Sequence, residues 1–212
     1  MTVKRGALIV IEGVDRTGKS TQCRKLVENL NKKQIPAEYT NFPDRTTEVG
    51  KVINSYLCSK KDLPDEAIHL LFSANRWEKV ETIKELLKKG ISVIVDRYCY
   101  SGAAFSAAKG LDMNWCKSPD IGLPKPDRVF FLTMPPEEVE QRKGFGSERY
   151  EVLEFQKKVL NMYMQLKDES WEILDATRSI AAIQEELLNK SLTIVDSVGF
   201  SPVNKLWVDE NQ

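Results

Sequence analysis

The sequence predicts an α/β domain built on a parallel sheet. Apolar runs occur at residues 7–11 and 91–95, the second interrupted only by Ser92, which is the pattern of parallel strands buried on both faces. Stretches with apolar residues at helical spacing separate such runs, so strands and helices alternate along the chain. We expect residues 1–212 to form one domain, because this length can bury a sizeable core without disulfides or metals.

Positive and negative side chains balance, with 31 Lys and Arg against 31 Asp and Glu. This balance argues against a nucleic acid or a membrane as partner, because both attract basic surfaces. The four cysteines show no C-x-x-C spacing, and the single histidine cannot complete a metal cluster with them; they are Cys23, Cys58, Cys99, Cys116 and His69. We expect reduced thiols in an intracellular protein.

The expected location is the cytoplasm, with a nuclear pool left open. Residues 1–5 run straight into the first strand, so we expect no secretory or transit leader. No apolar run approaches the length that a bilayer span needs.

A phosphate-binding loop follows the first strand. Residues 13–20 read Gly-Val-Asp-Arg-Thr-Gly-Lys-Ser, which fits the G-x-x-x-x-G-K-S pattern. An amphipathic helix from about Ser20 to Lys33 comes next, as a strand-to-helix turn requires. Backbone N–H groups of such a loop surround an anion, Lys19 reaches the outer phosphates and Ser20 can ligate Mg²⁺. The pattern predicts nucleoside triphosphate binding.

The second strand is predicted at residues 37–42, between Pro36 and Pro43. Its carboxyl end delivers Arg45 to the edge where open α/β sheets bind ligands. Arg45 is therefore a candidate anion contact, although a solvated surface arginine would be favoured without that position.

A long helix is predicted from Pro64 to Lys89, closed by Gly90. Phe72 and Arg76 are four residues apart, so a ring and a fork of donors project from neighbouring turns. The pair could grip a planar base. Helical spacing alone favours a plainer interpretation, in which Phe72 is core and Arg76 extends over it.

The third strand, residues 91–95, places Asp96 and Arg97 at the same edge of the sheet as the phosphate loop. A carboxylate after four apolar residues is the Walker B arrangement, which holds Mg²⁺ directly or through water. Arg97 could bridge phosphates. A salt-bridged pair at a strand end is the alternative. A short, Ala-rich helix is predicted from Tyr100 to Lys109.

The fourth strand is predicted at residues 128–133 and the fifth at residues 171–174, with a helix from about Val152 to Lys167 between them. A last helix is predicted to end at Asn189. The tail carries no other signal than Leu206-Trp207, which could dock on the body.

Residues 141–150 mix cations with two glycines. This is the composition of a mobile lid over phosphates, although a charged surface loop would also have it. The cations are Arg142, Lys143 and Arg149.

Six motifs in order resemble those of the thymidylate kinase family, closest to its eukaryotic and poxviral type. The most specific is residues 96–105, Asp-Arg-Tyr-Cys-Tyr-Ser-Gly-Ala-Ala-Phe, which fits D-R-[YH]-x-x-S-x-x-A-[FY]. The others are the phosphate loop and residues 42–45, 70–77, 122–127 and 148–151.

The resemblance implies a P-loop nucleoside monophosphate kinase fold, with a five-stranded parallel sheet flanked by helices and a lid at about residues 136–150. It implies transfer of the γ-phosphoryl group of ATP to dTMP, giving dTDP and ADP in dTTP synthesis. It also implies a homodimer.

The resemblance assigns residues to each substrate. Those implied for ATP are Gly13, Arg16, Thr17, Gly18, Lys19, Ser20, Thr21, Arg142 and Arg178. Those implied for dTMP are Asp15, Phe42, Arg45, Leu57, Phe72, Arg76, Arg97, Gly102, Phe105 and Tyr150. The implied catalytic set is Asp15, Arg16, Lys19 and Arg97, and Mg²⁺ is expected near Ser20 and Asp96.

Individual roles follow from the same resemblance. Arg45 and Arg97 would clamp the dTMP phosphate. Phe72 would stack on thymine, while Arg76 donates to its O4. Asp15 would accept from the sugar 3′-hydroxyl.

Phe105 would crowd the 2′ position, Tyr150 would cover sugar and base, and Arg178 would lie near the adenine. The family divides by whether the catalytic cation belongs to the phosphate loop or to the lid. We expect Arg16 to supply it, because the loop is rigid and a lid must first be ordered.

Other functions fit the motifs less well. A deoxynucleoside kinase, or another P-loop nucleoside monophosphate kinase, shares the phosphate loop, but a nucleoside kinase needs a carboxylate base for a neutral hydroxyl. A GTPase would need an N-K-x-D motif, which the sequence lacks. A nucleotide-binding module without activity would keep the fold, but intact Lys19, Asp96 and Arg97 argue against it.

Overall fold

Five parallel strands form the central sheet of the structure, a computed structural model that describes residues 4–142 and 145–208. They are β1 (Leu8–Gly13), β2 (Ala37–Asn41), β3 (Ser92–Asp96), β4 (Arg128–Thr133) and β5 (Trp171–Asp175). Their order across the sheet is β2-β3-β1-β4-β5, and every neighbouring pair is parallel. The five-stranded parallel sheet predicted from the sequence is confirmed.

Helices connect the strands and cover both faces of the sheet. They are α1 (Lys19–Lys32), α2 (Glu48–Leu57), α3 (Asp65–Trp77), α4 (Val80–Lys88), α5 (Cys99–Ala107), α6 (Met113–Lys117), α7 (Pro136–Glu140), α8 (Leu153–Leu166) and α9 (Ile180–Val198), with a 3₁₀ turn at Ser118–Asp120. None of those helices combines the length and the apolar character that crossing a membrane requires.

Strand β1 lies in the middle of the sheet and is buried on both faces. Ile9 and Ile11 pack with α1 and α9 on one face, and Leu8 and Val10 pack with α4, α5 and α8 on the other. Each fully buried side chain of this size contributes about 1.5–3 kcal/mol. This double burial explains the unbroken apolar run.

The chain crosses β1 after β3, because β3 pairs with one edge of β1 and β4 with the other. The strand order therefore reverses at β1, where open α/β sheets form a crevice at the carboxyl ends of the strands. The phosphate loop follows β1 and Arg97 follows β3, so both reach this crevice.

The prediction of one helix from Pro64 to Lys89 is wrong. The structure has two helices in this range, α3 and α4, with a break at Glu78 and Lys79. The two parts pack on different clusters, since Ile68 packs against α2 whereas Val80 packs on the sheet. No glycine or proline marks the break, so no local pattern predicts it.

Two further helix boundaries differ from expectation. The last helix runs to Val198, well beyond Asn189. Helix α2 was not predicted, although Thr47 caps it by accepting a hydrogen bond from the Gly50 N–H over 3.0 Å.

The expected docking of Leu206-Trp207 is confirmed. The Leu206 N–H donates to the Leu123 carbonyl over 2.8 Å, and the Leu206 side chain is buried beside the sheet. The Trp207 ring meets Tyr100 edge-on, with ring centres 5.8 Å apart. The tail therefore closes over α5.

Candidate active site

The phosphate loop turns from β1 into α1 through residues with unusual backbone angles. Gly18 begins α1 with φ 91° and Arg16 has φ 61°, so both are left-handed. A Cβ atom on Gly13 would lie 2.2 Å from the Leu132 carbonyl oxygen, so the loop can leave the sheet only with glycine there. The Thr17 hydroxyl donates to the Val14 carbonyl over 3.0 Å and closes the loop.

Lys19 is folded into this loop. Its Nζ atom donates to the Val14 carbonyl over 2.5 Å, and the residue is only 5 % exposed. Burial, and then the charge of Arg97, lower the pKa of Lys19 to about 8. Among the described residues no carboxylate forms an ion pair with Lys19, so a phosphate would be its first fully charged partner there.

Two cavities open at the carboxyl edge of the sheet and meet. The apolar cavity, of about 640 Å³, has its own walls of Leu57, Phe72, Arg76, Tyr98, Ser101, Gly102, Phe105, Ser106 and Tyr150. The phosphate-loop cavity, of about 1460 Å³, has its own walls of Arg16, Gly18, Lys19, Ser20, Thr21, Arg24, Tyr39, Asn41, Asp96, Arg142 and Glu151. The shared walls are Asp15, Phe42, Pro43, Arg45, Arg97 and Glu148.

Arg97 lies at the junction of the two cavities, in a left-handed conformation with φ 66°. Its Nη2 is ion-paired with Asp15, and Nη1 donates to the Gly13 carbonyl over 3.1 Å. Burial opposes the charge of Arg97, but Asp15 and other acidic neighbours outweigh it and raise the pKa of the guanidinium. A permanent cation therefore stands where the two cavities join.

Glu12 holds the turn that carries Arg97, a role that sequence reasoning missed. Its buried carboxylate accepts hydrogen bonds from the N–H groups of Tyr98 and Ser101, over 2.8 and 3.0 Å, and from the Tyr163 hydroxyl over 3.0 Å. A carboxylate on the otherwise apolar β1 was the available signal. Glu12 fixes the start of α5, and with it the direction of Arg97.

Arg45 is the second cation at the junction. It donates to Glu148 of the lid region over 2.8 Å and to Asn54 of α2 over 2.8 Å. The ion pair is partly exposed, so it is worth little and can exchange for a stronger anion. The structure thus brings Arg45 and Arg97, both candidates from the sequence, to one place.

Arg76 lies in the wall of the apolar cavity and is paired with Asp120. Nε donates to Oδ1 over 3.0 Å and Nη2 donates to Oδ2 over 2.6 Å. Burial disfavours the charge, but Asp120 outweighs it and raises the pKa of Arg76. The plainer interpretation of Arg76 as a surface residue extending over the core is wrong, because both partners are buried.

Gly102 faces the same guanidinium. A Cβ atom there would lie 2.8 Å from Nη2 and 3.0 Å from Nη1 of Arg76. Because Asp120 fixes the guanidinium, it could not easily move aside. Glycine therefore allows α5 to approach Arg76 and leaves the cavity open.

Aromatic rings form the remaining wall. Tyr150 stacks on Phe155 with ring centres 5.4 Å apart, and Phe105 lies 5.4 Å from Tyr150. Phe72 of α3 and Leu57 of α2 also line this cavity. Such a slot suits a flat ring.

The lid region meets the phosphate loop through Glu151. Its carboxylate accepts from Arg16 Nε over 2.6 Å and from the Ser147 N–H over 2.8 Å. Burial works against the charge of Glu151, but Arg16 outweighs it and lowers the pKa of the carboxyl. Arg16 is therefore held at the mouth of the phosphate-loop cavity by the lid.

The lid cations lie in different places. Arg142 lines the phosphate-loop cavity and donates to the Ala176 carbonyl over 3.4 Å. Arg149 points to α2 and is absent from the described walls of that cavity. Lys143 lies outside the described residues.

Arg178 is a predicted site residue that lies outside both cavities in the structure. Its guanidinium donates to Glu186 of α9 over 2.5 Å and is not in the described walls of either cavity. Gly13 and Thr17 also lie behind the walls, where they shape the loop.

Gln156 links the lid to the phosphate loop, and sequence reasoning missed it. Its Oε1 accepts from the Asp15 N–H over 3.0 Å, and its Nε2 donates to Asp15 Oδ2 and to the Tyr150 carbonyl over 2.8 Å each. Gln156 is buried on α8. A buried amide on a predicted amphipathic helix was the only signal.

The oxygen-bearing side chains around Asp96 fit a magnesium ion. Asp96 and Ser20 line the same cavity and offer the oxygen ligands that Mg²⁺ prefers. Tyr39 donates to Asp96 Oδ2 over 3.2 Å and orients it. Residues 4–142 and 145–208 hold no group of three or more His, Cys, Asp or Glu arranged for a metal.

A phosphate loop beside a cleft at the strand reversal, closed by a lid, defines this chain as a P-loop nucleoside monophosphate kinase. A family model described as thymidylate kinase matches residues 11–187. The chain belongs to the thymidylate kinase family.

Individual relatives are similar over most of their length. The thymidylate kinase of Arabidopsis thaliana is 52% identical over 96% of this chain and 78% of its own. That of Homo sapiens is 48% identical over 98% of this chain and 100% of its own. A solved structure of thymidylate kinase from Candida albicans has a TM-score of 0.83 at 42% identity, covering 91% of this chain and 93% of the other.

Proposed function

We propose that the two cavities bind ATP and dTMP side by side and that their shared walls hold the phosphates between which the phosphoryl group moves. As a thymidylate kinase, the chain transfers the γ-phosphoryl group of ATP to dTMP, giving dTDP and ADP in dTTP synthesis. Another P-loop nucleoside or nucleoside monophosphate kinase is not favoured. This arrangement is supported by one observation: Arg45 and Arg97 line both cavities.

The phosphate-loop cavity is the proposed ATP site. Lys19 would leave the Val14 carbonyl for the outer phosphates, which would also meet the N–H groups at Gly18, Ser20 and Thr21. Arg142 would approach the phosphates from the lid. Mg²⁺, held by Ser20 with Asp96 behind it, would neutralise charge on the phosphates.

Arg16 is proposed to stabilise charge on the transferring group. Little covalent chemistry is required of the protein, because a phosphate is already a nucleophile, so positioning and electrostatics dominate. Glu151 holds Arg16 at the mouth of the cavity through a short ion pair. The triphosphate would compete with that carboxylate for the guanidinium.

The apolar cavity is the proposed dTMP site, with the base in the slot beside Phe72. Asp120 accepts one N–H from Nε and one from Nη2 of Arg76, and both terminal nitrogens, Nη1 and Nη2, lie at the wall beside Gly102. A remaining terminal N–H of the guanidinium is therefore the donor proposed for O4 of thymine. Since a guanidinium has no acceptor, this position favours a carbonyl over an amino group.

The sugar and phosphate would lie toward the junction. Asp15 is proposed to accept from the 3′-hydroxyl, Phe105 to occupy space at the 2′ position and Tyr150 to cover sugar and base. The dTMP phosphate would replace Glu148 as the partner of Arg45 and would also meet Arg97.

Arg178 is proposed to pack near the adenine. Glu186 holds its guanidinium away from the described cavity walls, so the contact requires another side-chain rotamer.

The proposed assembly is a homodimer through the outer face of α3. Ala67, Leu70, Ala74 and Trp77 follow one another at three- and four-residue spacing, and Leu70 and Trp77 are exposed. A matching apolar face on a second copy would cover this stripe. Sedimentation should show a dimer that Leu70→Glu dissociates, and a wild-type monomer would contradict the proposal.

The working unit is proposed to be one domain, residues 1–212, with the lid at about residues 136–150. Its proposed partners are small-molecule substrates and not a nucleic acid or a membrane. Its proposed location is the cytoplasm, with a nuclear pool left open.

The test is a coupled ADP-release assay across the nucleoside monophosphates. We expect dTMP to give the highest kcat/KM, with activity dependent on Mg²⁺ and abolished by Lys19→Met. A higher kcat/KM for any other monophosphate would contradict the assignment of the apolar cavity.

A further inference from the structure

Arg149 makes the most extensive side-chain contacts of the described lid arginines. Nε donates to the Tyr56 carbonyl over 2.9 Å, and Nη2 donates to the Lys61 carbonyl over 3.2 Å and to Asp62 over 2.6 Å. The guanidinium carbon lies 4.1 Å from the centre of the Tyr56 ring. Every one of these partners belongs to α2 or to the turn that follows it.

These contacts add to the end of α2, where the Tyr56 carbonyl also accepts from the Ser59 N–H over 3.0 Å. The last carbonyls of a helix have no partner within the helix, and a cation there also favours the negative end of the helix dipole. The backbone joins in, because the Arg149 N–H donates to the Leu57 carbonyl over 3.0 Å. Arg149 therefore caps α2 from the lid, by both side chain and main chain.

The two ends of this contact carry walls of the apolar cavity. Tyr150 follows Arg149 directly, and Leu57 follows Tyr56 directly; both Tyr150 and Leu57 line the cavity. The Tyr150 hydroxyl also donates to the Tyr56 hydroxyl over 3.2 Å. Holding Arg149 on α2 thus sets the distance between two walls of the proposed dTMP site.

The geometry does not favour a phosphate contact for Arg149. Its guanidinium is engaged by two carbonyls and a carboxylate, and it is absent from the described walls of the phosphate-loop cavity. Arg142 has the opposite placement, inside that cavity. The two arginines of one lid therefore have different surroundings.

We propose that Arg149 is a positioning residue that docks the lid on the C-terminal end of α2 and so closes the nucleoside cavity behind dTMP. It acts through Tyr150 and does not touch the transferring group. The inference rests on the proposed assignment of the apolar cavity to dTMP, but the docking itself is a property of the enzyme without substrate.

The first measurement is hydrogen exchange in the substrate-free enzyme. Arg149→Ala should speed exchange of the amides of residues 145–151 by about tenfold, the size of one charge-assisted hydrogen bond. Arg149→Lys keeps the charge but cannot reach the Tyr56 carbonyl and Asp62 together, so it should give an intermediate rate. Unchanged exchange in Arg149→Ala would overturn the docking, whatever the substrate proves to be.

Steady-state kinetics give the second measurement. Arg149→Ala should raise KM for dTMP about tenfold, with KM for ATP and kcat within about threefold of wild type. A fall in kcat of about 10³ with KM for dTMP unchanged is the behaviour of a transition-state cation, and it would overturn the proposal.

Matched controls use the exposed end of the contact. Lys61→Ala removes a nearby cation but keeps the carbonyl that Arg149 uses, so neither exchange nor KM should change. Asp62→Asn should change both by less than about threefold, because the Asp62 side chain is 89% exposed. Thermal unfolding of each variant reports the fold separately. If the exchange results hold and the KM effect falls on a substrate other than dTMP, the docking stands and the substrate assignment fails.

Discussion

Arg76 and Asp120 form a two-bond ion pair in which the arginine side chain is 2% exposed and the aspartate side chain is 0% exposed. Ser73 donates a further hydrogen bond to the same carboxylate over 2.7 Å. The pair fixes the plane of the guanidinium, so the free edge of Arg76 faces the apolar cavity in one orientation. Arg76, which is proposed to recognise the base, therefore also contributes to the stability of the fold.

We expect Arg76→Ala to lower the free energy of unfolding by about 3–5 kcal/mol, because it leaves Asp120 charged, buried and unpaired. Urea denaturation of the purified variant measures this. The double variant Arg76→Met with Asp120→Leu should recover most of the loss, since it removes both charges. Equal loss in the single and double variants would show that packing, and not the ion pair, sets the effect.

Arg76→Lys tests base selection with less risk to the fold. The wild type should prefer dTMP over dUMP by about 10–200-fold, the range for one methyl group, and should discriminate against dCMP more strongly because two donors would face each other. A lysine should stay paired with Asp120 and lose its contact with the base. The ratio of kcat/KM for dTMP over dCMP should therefore shrink, while the ratio for dTMP over dUMP persists. Ratios of kcat/KM measure both gaps, and an undiminished dCMP gap would remove Arg76 from base reading.

The sequence predicted the strands, the phosphate loop and the cations at the sheet edge, because each depends on local pattern. It could not predict Asp120 as the partner of Arg76, since the two are 44 residues apart and meet only when a 3₁₀ turn packs on α3. The break between α3 and α4 and the link from Gln156 to Asp15 depend equally on tertiary packing. Boundaries and partners were therefore harder to predict than motifs.

Arg16→Ala should lower kcat by about 10³-fold or more, while KM for either substrate changes far less, because an arginine in this role is worth about 10³–10⁵ in rate. Stopped-flow or coupled assays at saturating substrates measure it. Glu151→Gln is the matched control, since it removes the negative charge of one Arg16 partner but keeps Arg16 itself, so kcat should fall far less. A larger loss of kcat in Arg142→Ala than in Arg16→Ala would transfer the role to the lid.

Phe105→Ala should improve turnover of the ribonucleotide relative to dTMP, because it opens space where the ring now lies between Tyr150 and Arg97. The ratio of kcat/KM for the two sugars measures the effect. Phe105→Leu, which keeps part of the volume, should change the ratio less. An unchanged ratio in both variants would place sugar selection elsewhere.

Lys19 should take up a proton when nucleotide binds at alkaline pH. In the substrate-free enzyme its pKa is about 8, below the ordinary 10.5, so near pH 8.5 much of the side chain is neutral. Between pH 8 and pH 10.5 the native state binds fewer protons at Lys19 than the unfolded state does, so this group makes stability rise with pH across that range.

ATP favours the charged form of Lys19 and raises its pKa again, so nucleotide binding takes up a proton. Calorimetry of ATP binding without dTMP at pH 8.5 in two buffers of different ionisation enthalpy should detect the uptake, and it should fade near pH 6.5, where Lys19 is already charged. Lys19→Arg keeps a cation that cannot titrate and should abolish the uptake. The same uptake in Lys19→Arg would mean that another group supplies it.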